Sequence, residues 1–190
     1  MSKKLKQILY SKVCSKNDLV PASIGIFHEE GNFVATNGHL AVVVKGEYPE
    51  EFEGKSTNKK GEILEGRYPD YKKILPSSQQ LTEIHDTRFT FLQKVCKDLP
   101  EDVFVVSLCE RLNASNFTEV VVYSVDLILT ASKIFDTLKE KPKAYIQERN
   151  SLSSKTYSPV NLVLKSDNCT VLIAKGAYSP EHTYHFDLLW

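Results

Sequence analysis

Phe33-Val34-Ala35-Thr36-Asn37-Gly38-His39-Leu40-Ala41-Val42-Val43-Val44 and Gly66-Arg67-Tyr68-Pro69-Asp70-Tyr71-Lys72-Lys73-Ile74-Leu75-Pro76 are the two strings that decide the fold. In the first, apolar and β-branched residues flank a polar Thr-Asn-Gly-His knuckle, which predicts a strand carrying that knuckle. In the second, Pro69 removes a backbone donor and Pro76 disfavours helix at Leu75, so an extended segment is expected. Neither string holds a catalytic constellation by itself.

Upstream, residues 3–14 read as a short amphipathic helix. Leu5, Ile8, Leu9 and Val13 share a stripe, and Lys3, Lys4, Lys6 and Gln7 lie largely off it. Residues 23–30 and 33–45 are expected to pair as a hairpin, with Glu30-Gly31-Asn32 supplying the turn. The 47–66 region is charged and punctuated by glycine, so a loop or exposed hairpin is expected there.

Beyond Pro76, residues 77–80 read as a linker or crossover. A helix follows over 87–99, capped by Asp86, with Phe89, Leu92, Val95, Cys96 and Leu99 at helical spacing and Pro100 as its stop. Strands are expected at 103–108 and 118–123. A further helix starts at the N-cap Ser124 and buries Leu127, Ala131, Ile134, Phe135 and Leu138. Three strands close the reading, at 144–149, 160–165 and 170–174, the last two joined by Asp167-Asn168. Helices and strands are grouped rather than alternating, which favours an α+β fold with helices packed on one face of antiparallel sheets. The expected division is 1–76 and 77–190, packed as one compact unit.

Composition limits what such a fold can do. The 190 residues allow one ordinary domain or two small ones, and 42% hydrophobic residues are enough for a core. Basic and acidic side chains number 24 each. That balance argues against an indiscriminate polycation but leaves room for a basic face. Cys14, Cys96, Cys109 and Cys169 are scattered without a Cys-x-x-Cys pair, as reduced and mostly buried thiols would be, and this argues against zinc. No apolar signal core follows the basic start, and no apolar run approaches the ~18 residues of a membrane span. A soluble, cytoplasmic protein is expected.

The search for chemistry returns little. His39 has Asp70 as a conceivable partner after folding, but no Ser or Cys sits in a nucleophile-elbow context and no glycine-rich loop opens a helix. His182 and His185 read as a surface pair rather than metal ligands. No enzyme, cofactor or metal is expected.

The residues of the two strings resemble a known family. Ala35-Thr36-Asn37-Gly38-His39 is similar to the Ala-Thr-Asp-Gly-His-Arg strand of the bacterial sliding clamp, the β subunit of the replicative DNA polymerase. Tyr68-Pro69-Asp70-Tyr71-Lys72-Lys73-Ile74-Leu75-Pro76 is similar to its Phe-Pro-Asp-Tyr-Arg-Arg-Val-Leu-Pro segment. The resemblance implies a DNA clamp-like fold and a non-enzymatic accessory of DNA replication, a processivity factor reduced in size as in a phage or mobile element. It also implies two surfaces. Lys3, Lys4, Lys6, Lys12, Lys94, Lys97, Lys133 and Lys139 would face double-stranded DNA without reading bases, although each reads equally well as a solubilising side chain. Thr36, Gly38, His39 and Leu40 would form one wall of an apolar groove for short peptides of replication proteins, Pro69, Lys73 and Ile74 a second, and Ile173 with Ala174 a third.

The departures are also clear. A full clamp subunit carries more domains than this chain has room for, so a ring would require a homo-oligomer. The 47–61 loop stands where the family has half a domain. Asn37 replaces Asp, and Leu40 replaces Arg. The alternative reading is a clamp-fold interaction module that does not bind DNA. The final residues, His185-Phe186-Asp187-Leu188-Leu189-Trp190, resemble a clamp-binding peptide loosely, and a last strand on the sheet is the preferred reading.

Overall fold

The computed structural model describes residues 1–16, 20–77, 81–84, 86–100, 105–112, 118–147, 161–176 and 183–185. Within them lie three α-helices and twelve strands, a mixed α+β protein whose strand pairs are mostly antiparallel. The chain divides into two compact units. The first comprises Met1–Leu75, Lys133–Pro142 and Lys165–Leu172; the second comprises Pro76–Ser132, Lys143–Leu164 and Ile173–Trp190.

The first unit opens with α1 (Lys3–Ile8), capped by the Ser2 hydroxyl, which accepts from the Leu5 amide at 3.2 Å. A π-helical turn, Leu9–Val13, continues it and closes on the Cys14 amide, which donates to the Leu9 carbonyl at 2.8 Å. Leu5, Leu9 and Val13, all buried, recur every fourth residue. An ideal α-helix would drift off such a spacing, and the wider π turn keeps all three on one side.

Strands β1 (Ile26–Glu29) and β2 (Asn32–Thr36) form the expected hairpin, with Glu29 opposite Asn32 across a two-residue turn. Glu30 and Gly31 both have positive φ, 51° and 72°, the backbone of a type I′ turn, whose twist matches the flanking strands. The 33–45 string departs from expectation. It is not one strand but two, β2 and β3 (Leu40–Lys45), paired antiparallel from Asn32↔Lys45 to Thr36↔Ala41. The Thr-Asn-Gly-His knuckle is the turn that reverses the chain between them. Flanking apolar runs look alike on either side of a knuckle in one strand and of a tight turn between two, so periodicity alone could not separate these cases.

Of the loop or exposed hairpin expected over 47–66, the structure forms a hairpin, β4 (Lys55–Thr57) with β5 (Ile63–Leu64), but Ser56 and Thr57 are buried where β4 pairs with β1. The neighbours run β5-β4-β1-β2-β3, and β11 (Cys169–Ile173) lies beside β3. Tyr10 ties the π turn to β4, its hydroxyl lying 2.8 and 2.6 Å from the Thr57 and Asn58 carbonyls.

The second unit contains β6 (Leu81–Ile84), α2 (Asp86–Asp98), β7 (Val105–Leu112), β8 (Thr118–Ser124), β9 (Lys143–Gln147), β10 (Leu162–Lys165) and β12 (Thr183–His185). α3 (Val125–Leu138) begins there, and its residues from Lys133 onward belong to the first unit. β9 lies between β10 and β6, and β7 between β12 and β8. Two elements differ from the sequence reading: β6, which was not expected, and β12, which runs parallel to β7 and meets the last strand expected over 185–190 only at His185. Both are very short, and neither shows a full alternation of apolar residues.

Ile84, Phe89, Leu92, Cys96, Tyr123, Ile128 and Ala131 are buried among the residues of this unit. Gln93 donates to the Ser132 hydroxyl at 2.8 Å, and Ser132 donates to the Ile128 carbonyl, so α2 and α3 share a fully bonded polar contact. Leu127 and Leu138, expected in the buried stripe of α3, are only half-buried, and Ile128 takes the fully buried place. α3 ends on a Schellman motif. Lys139, at φ 59°, donates to the Asp136 carbonyl, and the Glu140 amide donates to the Phe135 carbonyl at 3.1 Å.

Cys14, Cys96 and Cys169 are free and buried, and burial pushes each thiol up to about 12. Among the described residues no group of His, Cys, Asp or Glu could hold a metal ion, and no helix is long and apolar enough to cross a membrane.

Candidate functional site

The knuckle between β2 and β3 is held by its own polar side chains. The Asn37 Oδ1 accepts from the His39 and Leu40 amides, both at 2.9 Å. The Thr36 hydroxyl donates to the Leu40 carbonyl at 2.9 Å and accepts from the Gly38 amide at 3.1 Å. Only an acceptor oxygen is used at position 37, and an amide supplies one as a carboxylate would, so Asn in place of Asp preserves the turn. Gly38 is needed for its backbone, at φ 88°. A Cβ there would meet nothing within 4 Å. Gly38 and His39 are exposed, whereas Leu40 is fully buried.

The second string lies against the same sheet. Phe27, Val34 and Val43 stand directly across from one another on β1, β2 and β3 and therefore share a face, and Thr36 with Ala41 extends that face towards the knuckle. Tyr68, Tyr71 and Leu75 pack onto it, with Ala22. Tyr68 stacks on Phe27 at 4.7 Å between centroids with the planes 6° apart, and Tyr71 meets the same ring edge-on at 6.5 Å. The Tyr68 hydroxyl donates to the Val34 carbonyl at 3.3 Å. Burial pushes the Tyr68 phenol up, and burial followed by a hydrogen bond to Glu29 raises Tyr71 to about 12. Both rings therefore stay neutral, as a packed anchor must.

The residues between and after these anchors point outward. Pro69, Asp70, Lys72, Lys73 and Ile74 are exposed, and Ile74 is 46% exposed, unusual for an isoleucine beside a core cluster. Lys73 is paired with Asp70 at 3.2 Å in an exposed contact. That pairing also bears on catalysis: Asp70 pairs with Lys73, and among the described residues no contact joins it to His39. Lys72 bridges Glu29 and Glu30 at 3.0 and 2.9 Å, and those two carboxylates, Glu30 foremost, hold its ammonium well above the usual lysine range.

The structure thus brings Thr36, Gly38, His39, Leu40, Pro69, Lys73 and Ile74 into one unit. Ile173 and Ala174 belong to the other, where Ile173 is fully buried and Ala174 half-buried. The sequence reading assigned no role to Phe27 or to the two tyrosines that seat the segment. Their signal was cross-strand register, which appears only once β1 and β2 are paired. Of the eight lysines, Lys3, Lys4, Lys6, Lys12, Lys133 and Lys139 fall in the first unit, Lys94 and Lys97 in the second, and all but the half-buried Lys6 are exposed. Residues 186–190 of the C-terminal hexapeptide lie outside the described residues, as does His182.

No family model and no curated protein matches the chain in sequence. Solved structures do match in fold. The chain is similar to DNA polymerase III subunit beta from Borrelia burgdorferi, in complex with a natural product, at a TM-score of 0.62 and 18% identity over 93% of this chain and 63% of that one. It is similar to the sliding clamp of Bartonella birtlesii, bound to griselimycin, at 0.59 and 13% over 92% and 64%. It is also similar to the Helicobacter pylori beta clamp bound to a DNA ligase peptide, at 0.53 and 13% over 92% and 62%. The chain spans a little under two thirds of the length of these proteins. The fold of this chain is that of the bacterial DNA polymerase III beta sliding clamps.

Proposed function

We propose that the protein is a non-enzymatic, clamp-like accessory of DNA replication that docks short peptides of replication proteins beside its Pro69–Ile74 segment. The observation that carries this reading is the seating of that segment. Tyr68, Tyr71 and Leu75 are consumed in packing against Phe27, Val34 and Val43, and Ile74 is left half-exposed with Pro69 and Lys73. An exposed apolar side chain on a rigidly anchored turn is suited to bury a peptide's apolar anchor. The knuckle residues Thr36, Gly38 and His39 form the other wall. Residues 1–76 act as an abbreviated clamp-like half and 77–190 as a second part. The Helicobacter pylori clamp, of the same fold, has been captured with a DNA ligase peptide, and such a peptide is the natural probe.

Lys3, Lys4, Lys6, Lys12, Lys94, Lys97, Lys133 and Lys139 provide the contacts to double-stranded DNA phosphates, and several copies of the chain assemble to surround the duplex. Contacts to phosphates alone suit a protein that must slide.

A fluorescein-labelled DNA ligase peptide should bind the wild type, and Ile74→Glu should abolish binding while the far-UV circular dichroism stays unchanged. No binding to the wild type sinks the docking reading. For DNA, log affinity should fall linearly with log salt, by about 0.9 for each phosphate contacted, without sequence preference. Peptide binding without DNA binding, in a protein whose native mass is that of a monomer, would leave a clamp-fold interaction module.

A further inference from the structure

Glu30 sits where a glutamate is not at ease. It is the first central residue of the β1–β2 turn, at φ 51°, a conformation that Gly adopts freely and Asn readily, and that costs other residues on the order of 1 kcal/mol. Such strain persists where surrounding contacts over-determine it. Those contacts are present on every side. The Glu30 amide donates to the Glu53 Oε1 at 3.0 Å, and the Gly31 amide to the Tyr48 hydroxyl at 3.0 Å, which donates to the Glu53 Oε2 at 2.7 Å. The Glu30 carboxylate accepts from Lys72 at 2.9 Å, and Lys72 also reaches Glu29 at 3.0 Å. Lys72 stands between the buried Tyr71 and the exposed Lys73 and Ile74.

We propose that Glu30 and Lys72 are positioning residues for the peptide site: their ion pair holds the Tyr71–Lys73 turn in the form that presents Lys73 and Ile74. This rests on the docking reading above. An exposed pair of this kind adds little to global stability and is screened by salt. Its signature is therefore local order and ligand affinity, not the melting temperature.

Glu30→Gly separates the possibilities, because it relieves the left-handed strain while removing the carboxylate. If Glu30 only makes the turn, stability holds or rises and nothing else changes. If Glu30 positions Lys72, the Ile74 and Leu75 amides, which donate to the Tyr71 carbonyl at 3.1 and 3.3 Å, exchange with solvent roughly two- to fivefold faster. The labelled DNA ligase peptide then binds weaker by a similar factor. Lys72→Gln, which also removes the Lys72–Glu29 pair, gives changes in the same direction and at least as large, the double variant adds no loss beyond that of Lys72→Gln, and 1 M salt (about a 3 Å screening length) brings the wild type towards the level of the variants. Unchanged exchange in both single variants overturns the proposal whatever the peptide does. Faster exchange with unaltered peptide affinity also overturns it. Faster exchange together with a peptide that never binds the wild type leaves the positioning intact and refutes the docking reading instead.

Discussion

Replacing Tyr68 tests whether the Gly66–Pro76 segment is anchored as described. The ring is 7% exposed and stacks on Phe27 at 4.7 Å, and its hydroxyl donates to the Val34 carbonyl over a rather long 3.3 Å, with the Thr36 backbone also within its reach. Tyr68→Ala removes the whole ring from a packed face between Pro-bracketed chain and sheet. Large aromatic truncations of this kind cost about 3–5 kcal/mol, of which the stacked pair supplies about 0.5–1.5. Tyr68→Phe keeps the ring and the stack and loses only the hydroxyl bond, about 1 kcal/mol. Urea denaturation followed by far-UV circular dichroism measures both, and titration with the DNA ligase peptide under native conditions measures the consequence for the site. Tyr68→Phe should bind like the wild type. Tyr68→Ala should lose binding while still folded, because Pro69 to Ile74 are no longer pinned. A loss below about 1 kcal/mol for Tyr68→Ala, or equal losses for the two variants, would refute the anchoring argument.

Three further outcomes follow from other parts of the first unit. Gly46→Ala would place a Cβ 2.7 Å from the Phe33 Cε2, and Phe33 is hemmed in by His28 and Tyr48 at 5.4 Å each, so the variant should lose about 1–3 kcal/mol; unchanged stability would show that the ring can yield. Lys139→Gly should raise stability by about 1 kcal/mol, since φ 59° suits glycine at the end of α3, and should reduce the salt slope of DNA binding by about 0.9 if this lysine meets a phosphate. A lower melting temperature would contradict the first part. His28 is held below the ordinary 6.5 mainly by burial, which outweighs its hydrogen bond to the Lys55 carbonyl, with Lys6 also lowering it and Glu53 raising it. The unfolded chain therefore takes up the proton first. The stabilisation is complete above pH 6.5 and is lost as pH falls through the lowered value. Chemical denaturation between pH 7.5 and 5 should show this decline, and a His28→Phe variant should flatten it.

Elements whose signals are local were legible in the sequence. The Glu30-Gly31 turn, the helix start just after Ser124, the spacing of Ala131, Ile134 and Phe135, and the Asp167-Asn168 turn are each set by a few neighbouring residues, and the structure forms an element at each. The two strings were visible too, as were Pro69, Lys73 and Ile74 within them. What tertiary structure alone decided is what those strings do. The apolar runs around Thr36 to His39 do not say whether the chain continues or reverses; the side-chain bonds of Asn37 and Thr36, with Gly38 at φ 88°, reverse it. Sequence cannot rank Tyr68, Pro69, Tyr71 and Ile74 by burial, because all four are apolar or amphipathic and none follows a period. The register that sets Phe27 opposite Val34, and Val34 opposite Val43, creates one face, and that face takes the two tyrosines and leaves Ile74 in solvent. The Lys72 bridge to Glu29 and Glu30 spans more than 40 positions of sequence. It exists only because the hairpin carries those carboxylates to the turn that follows Tyr71.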